Sequence, residues 1–370
     1  MSAGDQLIPI DAPQVRQRFA LACLGGLRSK EAAESLGLPE GAAMAAHAGQ
    51  HDGSPQAVPL RAEWLAILQA LYDCGPVMAL TRNESVVHEK TGIYQNLSAN
   101  GSMGLALGRD IDLRLFFKQW HAGYAVTERA LQAGRPALRS LQFFDAHGRA
   151  VHKVHAREST DMAAWQSLVE RFAEPSACYL FRHAPPRPAP LADADIDVAG
   201  LAAAWDAMQD THEFSGLLQR FGAGRQQALR LISRHCTRLA DGAVARLLDD
   251  AALDELPIMV FVGSGGCIQI HTGPVHRVLP MERTGGVQWI NVMDSGFNLH
   301  LRSDRVGSVW AVQKPTADGV VTSVEVFDVQ DELMTMFFGE RKPGQPELPA
   351  WRALVKGLPR HAIVQPASTA

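Results

Sequence analysis

VMALTRNESVVHEKTGIYQNLSANGSMGLALGRDIDLRLFF, residues 77 to 117, followed by LQFFDAHG at 141 to 148, is answered later in the chain by IMVFVGSGGCIQIHTG at 258 to 273, WINVMDSGFNLHLR at 289 to 302 and VEVFDVQ at 324 to 330. Thr91-Gly92 matches Thr272-Gly273, and Phe144-Asp145 matches Phe327-Asp328, at separations of about 180 residues. Solenoid repeats run to ~20–50 residues, whereas this period has the size of a domain, so the pattern predicts a duplicated domain. Inside the first copy, Ile111, Leu113, Leu115 and Phe117 alternate with Asp112, Arg114 and Phe116, the period-two pattern of a strand.

Outward from these blocks the pattern changes. Residues 12 to about 72 read as helices, with Ser29 to Gly41 in the cadence of helix, Gly turn and helix. Residues 161 to 172 are again helical, and the stretch from 184, with PPRPAPLADADI at its centre, reads as a linker. Residues 199 to 221 and 226 to 236 are expected as helices, 258 to 338 as strands, and 351 to 358 as a closing helix. Strand runs flanked by helix runs, without βαβ alternation, predict an α+β fold of two tandem repeats, each a large antiparallel sheet with flanking helices. The expected division is residues 1–183, a linker at 184–198, and residues 199–370.

The 370 residues are 46% hydrophobic and 20% charged, a globular composition. A formal net charge of −4 gives no basic field and argues against nucleic acid as the main partner. No run approaches the ~18 apolar residues of a transmembrane helix. Arg16-Gln17-Arg18 before Phe19 to Cys23 imitates the start of a signal sequence. Its apolar run is too short, so it reads as the buried face of a helix in a cytoplasmic protein. The five cysteines are scattered without CxxC spacing and fit buried free thiols.

On a helical wheel, Phe214, Leu217, Leu218 and Phe221 form one apolar arc, while Leu201, Trp205, Met208, His212 and Gln219 line the other side. The second arc, with Ser215 and Gly216 one turn on, can face a flat apolar ligand. A helix buried on two sides around a hydrogen-bonded histidine is the commoner meaning of such a pattern. Arg114 projects from its strand away from Ile111, Leu113 and Leu115 and can hold an anion or orient a polar ligand, although such residues are more often solvated. His300 takes its place in the echo. His271, His152 and His155 lack metal-site spacing and read as structural. No GxGxxG after a strand, P-loop, HExxH or GxSxG occurs, and Gly263-Ser-Gly-Gly266 reads as a turn between strands.

TRNESVVHEKTGIYQN with GLALGRDIDLRLFFKQW, the segment WDAMQDTHEFSGLLQRFG with RQQALRLI after it, and the blocks GCIQIHTGPV, FNLHLR, QKPTADGVVTSVEVFD and FFGER together resemble the bacterial cytoplasmic hemin-degrading and hemin-transport proteins of the HemS, ChuS and PhuS type. The likeness extends in order over about residues 12 to 358. It implies that His212 is the proximal ligand of haem iron and that Arg114 serves the distal side, stabilising iron-bound oxygen or water. It also implies that Lys314 and Arg341 contact the propionates, and it marks His88 as the candidate for a second haem in the first half. Two positions depart from the family pattern: Phe338 stands where relatives often have tyrosine, and Gly265 where some have arginine.

The implied function is a cytoplasmic haem-binding protein of haem uptake and iron acquisition. Such a protein accepts imported haem and degrades it to release iron, with electrons from an external reductant, or delivers it to a haem oxygenase. Haem is then substrate or cargo, and the implied partners are an inner-membrane haem importer and a downstream oxygenase or reductase. The alternatives are a pure haem carrier without turnover and a DNA-binding regulator using Ser29 to Ala46 with Arg28 and Lys30 as phosphate contacts.

Overall fold

The structure, a computed structural model, describes residues 6–130, 134, 136–283, 285–342 and 344–362. Three helices open it: α1 Ala12–Leu24, α2 Ser29–Ser35 and α3 Glu40–Ala46. Strand β1 Gln56–Pro59 and helix α4 Trp64–Ala70 follow. The long strand run comprises β2 Val77–Arg82, β3 Val86–Gly92, β4 Leu97–Asn100, β5 Met103–Leu107, β6 Asp112–Phe116, β7 Ala122–Glu128, β8 Leu138–Phe144 and β9 Ala150–Ala156, and helix α5 Met162–Phe172 closes it.

The same order then recurs. Helices α6 Val198–Asp206, α7 Glu213–Phe221 and α8 Arg225–Leu231 precede β10 Cys236–Leu239 and α9 Ala243–Leu253. Strands β11 Ile258–Gly263, β12 Cys267–Gly273, β13 Val278–Arg283, β14 Val287–Asp294, β15 Phe297–Arg302, β16 Val306–Thr316, β17 Gly319–Asp328 and β18 Leu333–Gly339 lead to α10 Pro349–Gly357. Thr91-Gly92 and Thr272-Gly273 end β3 and β12, and Phe144-Asp145 and Phe327-Asp328 mark the ends of β8 and β17, so the matched dipeptides occupy matched places. The fold is α+β, with large antiparallel sheets built from two repeats.

Two compact units form. One comprises the chain up to Asn83, Val87–Arg187 and Gly263–Ile270; the other comprises Glu84–Val86, Pro188–Val262 and the chain from His271 on. In the first unit the strand orders are β1-β7-β8-β9-β2-β3 and β12-β6-β5-β4. The start of β12 is therefore an integral strand of this unit: Cys267 pairs with Leu115 and Ile268 with Arg114. In the second unit the orders are β10-β16-β17-β18-β11 and β15-β14-β13.

The first-unit core joins Leu113, Leu115, Phe143 and Cys267 to Trp64, Leu68 and Trp165 from α4 and α5. A separate cluster under α1 to α3 gathers Phe19, Met44, Tyr124 and Phe181. Of the expected buried run Phe19 to Cys23 only Phe19 is fully buried, with Val15 one turn before it, while Leu21 is exposed. Three helix expectations need correction. Residues 47–63 include strand β1, α8 ends at Leu231 so that Cys236 opens a strand, and the segment 199–221 is broken between Asp206 and Glu213. Helix α9 was not anticipated.

One buried ion cluster fastens α3 to the strands. Glu40, its first residue, accepts from Lys153 Nζ of β9 at 2.5 Å and from Arg82 of β2. The two cations outweigh the desolvation that opposes ionisation and hold the Glu40 carboxyl down at about 2. A depressed folded-state value contributes stability above the ordinary carboxyl pKa of ~4.3, lost as pH falls from there toward about 2. Glu40→Gln should lower stability at pH 7 by ~3–5 kcal/mol, because Lys153 is left buried with its charge uncompensated. Urea unfolding at pH 7 and at pH 3, followed by tryptophan fluorescence, checks this, and the penalty should be smaller at pH 3.

Candidate functional site

The segment around His212 is a turn between two helices. Asp197 starts α6 by accepting from Gly200 N at 2.8 Å, and the helix stops at Asp206. Wheel periodicity runs unbroken through Ala207 to Thr211, but Asp210 takes the backbone into a turn: its Oδ1 accepts the His212 N–H at 2.8 Å. Short polar side chains that bind their own backbone compete with helix hydrogen bonds, which is why the continuous helix does not form. Helix α7 then starts at Glu213 with His212 as its cap, and ends at Gly222, whose φ of 63° suits glycine.

This break changes the faces. Leu201, Trp205 and Met208 are buried in the core with Phe214, Leu217 and Leu218, so they do not line a ligand surface. The His212 side chain is instead 89% exposed. Its Nδ1 lies 2.6 Å from Asp210 Oδ1, and no hydrogen bond involves Nε2 among the described residues. Ser215 and Gly216 are exposed one turn on, and a Cβ placed on Gly216 would meet nothing within 4 Å. An imidazole with a fixed Nδ1 and open space beside it can ligate a metal through Nε2. The Asp210 carboxyl is held below its ordinary range, first by the His212 backbone N–H, then by its ring, with a smaller contribution from the charge of Arg341.

Arg341 is 19% exposed and donates from Nη2 to Asp318 Oδ2 at 3.2 Å. Among the proposed propionate contacts it is the one whose charge acts on the His212 turn. Lys314 is differently placed. At 3% exposure its Nζ donates to Glu325 Oε1 at 2.6 Å and lies 4.7 Å from the centre of the Phe214 ring. Arg225 grips the same carboxylate in two bonds, Nε to Oε2 at 2.7 Å and Nη2 to Oε1 at 2.9 Å, with its guanidinium 5.0 Å from the Phe214 ring. Together the two cations hold the Glu325 carboxyl far below its ordinary range despite its burial. Lys314 thus anchors α7 from beneath through Phe214, while Arg341 is half-buried and His212 stands at the surface. The sequence carried no pattern that singled out Arg225 and Glu325. Asp210 had a legible signal, an Asp two residues before the histidine with a Thr between.

In the first unit Arg114 is 32% exposed on β6 and donates to Asp112 and, at 3.3 Å, to Leu113 O. His300, its counterpart in the repeat, bonds through Nδ1 to Asn291 Oδ1 at 2.7 Å. His88 is fully buried on β3 opposite Thr81. His152 is enclosed by Tyr94 Oη at 2.6 Å and Thr81 Oγ1 at 2.9 Å, and burial holds its pKa at about 3. His155 is likewise held at about 3, by burial first and then by Lys153, while His271 stacks on Phe297 at 3.8 Å. Gly265, with φ 87°, forms the turn between β11 and β12.

The model of the haemin-degrading HemS.ChuX domain matches twice, over residues 37–172 and 222–358. The hemin transport protein HmuS of Yersinia pestis is 39% identical over 302 residues, which is 81% of this chain and 85% of that protein. The crystal structure of holo-PhuS, a heme-binding protein from Pseudomonas aeruginosa, is 44% identical with a TM-score of 0.88, covering 95% of this chain and 100% of that one. The structure of ChuS, an E. coli heme oxygenase, is 33% identical with a TM-score of 0.81, covering 93% and 99%. The break bearing His212 lies between the two matched segments.

The ion cluster beneath α7 gives a direct test. Glu325→Gln leaves the buried Lys314 and the half-buried Arg225 without their counter-charge and should cost ~3–5 kcal/mol in urea unfolding. Lys314→Met, which keeps the bidentate Arg225 pair and fills the same volume, should cost less than Glu325→Gln.

Proposed function

Because the chain belongs to the haemin-degrading HemS.ChuX family, we propose that it binds haem with His212 Nε2 as the iron ligand and serves haem uptake for iron acquisition in the cytoplasm. The observation that carries this is the state of His212: exposed, fixed through Nδ1 and open at Nε2. A neutral imidazole is a suitable axial ligand of haem iron. Ser215 and Gly216 leave space for a flat ring beside it, and Arg341 offers a cation to a propionate. No helix among the described residues is long and apolar enough to cross a membrane.

Relatives are named both for hemin transport and for heme oxygenase activity. The proposed protein accepts imported haem and degrades it to release iron or delivers it to an oxygenase. Ring opening consumes electrons, so turnover requires an external reductant. The role that the resemblance implies for Arg114 belongs to the same proposal, as does that of Lys314, which would have to leave Glu325 to meet a propionate.

His212→Ala should weaken haemin binding and shift the Soret band; an unchanged band would remove the ligand assignment. Haemin-loaded protein given ascorbate, or a flavin reductase with NADPH, in the presence of catalase separates the two outcomes. Loss of the Soret band with one ring-opened product marks a degrading enzyme, and a stable band with transfer to a separate oxygenase marks a carrier. Arg114→Ala should slow any breakdown while leaving the His212-dependent band in place.

A further inference from the structure

We propose that Asp210 is a positioning residue for the iron ligand, holding the His212 ring by Nδ1–H and thereby setting how strongly Nε2 donates to haem iron. This rests on the reading of His212 as that ligand. A single oxygen, Asp210 Oδ1, receives both bonds from the same residue: the His212 backbone N–H at 2.8 Å and the ring Nδ1 at 2.6 Å. The first bond fixes the turn from which the ring projects. The second places the ring proton on Nδ1 and leaves the Nε2 lone pair facing outward.

A ring 89% exposed would otherwise turn about its side-chain torsions and exchange tautomers in water. Held from one side, it presents one nitrogen in one direction. A carboxylate on the far nitrogen also pushes charge into the ring, which raises the basicity of the ligating nitrogen. In water this push is screened. A haem seated over His212 displaces that water, so the bond to Asp210 strengthens when the ligand is in use. The chain contains a contrasting pair. His235 bonds Asp206 Oδ1 at 2.6 Å through Nε2, but it is only 15% exposed and stacks on Trp205 at 5.4 Å, which suits a structural contact, whereas the His212 ring stands clear of such packing.

The test uses the full chain loaded with haemin and reduced without oxygen, with resonance Raman as the readout. Asp210→Asn keeps an oxygen for the His212 backbone N–H, so the turn persists, but it removes the negative charge from Nδ1. The iron–histidine stretch should move to lower frequency, the ferric/ferrous midpoint potential should rise, and haemin affinity should fall by ~10–100-fold. An unshifted stretch and potential in Asp210→Asn, together with loss of the stretch in His212→Ala, overturns the positioning role and leaves the ligand assignment standing. A stretch that survives His212→Ala overturns the ligand assignment and this proposal with it.

Discussion

A buried carboxylate held between two cations fastens helices to strands in both units. In the first unit the carboxylate is Glu40, opening α3, and the cations Arg82 and Lys153 come from strands. In the second unit the residue opening α8 is the cation, Arg225, and the carboxylate Glu325 lies on β17 with Lys314 beside it on β16. The helix ends are equivalent in the repeat and carry opposite charges, while the strand partners come from non-equivalent strands, β2 and β9 in one unit and β16 and β17 in the other. Such clusters are costly to desolvate and add little over well-packed apolar residues, but breaking one is expensive. Their effect is to specify how the helix layer seats on its strands. In the second unit the consequence reaches the surface, because both cations lie against Phe214, two residues beyond His212.

The repeat and the strand-rich blocks were legible because period-two alternation and matched dipeptides are local signals. The recurrence of the whole element order, from α1–α5 to α6–α10, extends what those dipeptides indicated. Other features depend on partners distant in sequence. Nothing local in GSGGCIQI tells that Gly263–Ile270 joins the first unit, where Ser264 Oγ donates to Val151 O at 2.6 Å and Gln269 Nε2 to Ala79 O at 3.0 Å. Gly266 shows the closeness of that packing, since a Cβ there would stand 2.6 Å from Val151.

His212 was legible as a residue and misread in its setting. A helical wheel assumes that the helix continues, and Trp205, Met208 and His212 fall on one stripe only under that assumption. The Asp210 side chain ends it by binding the His212 backbone, which turns Trp205 and Met208 into the core and leaves His212 outside. The setting of Lys314 also depends on partners outside its own strand. At 3% exposure its Nζ is supported by the Glu325 carboxylate, while the like charge of Arg225 on that same carboxylate opposes it.

The contrast between His212 and the buried histidines bears on the proposed ligand. His47 and His152 have their pKa values held at about 4 and about 3, mainly by burial, so they are neutral core groups held in packing: His47 bonds Ala43 O through Nδ1, and His152 bonds Tyr94 and Thr81. To serve an iron inside a broad flat ring, such a histidine would have to leave the core and expose apolar surface, at ~25 cal/mol for each Å² uncovered. His212 requires no such opening. Its ring is already outside, its backbone is fixed by Asp210, and covering it with an apolar macrocycle buries surface instead of exposing it. The thermodynamic direction of ligand binding therefore favours the exposed, tethered histidine over the buried ones, whatever their number along the chain.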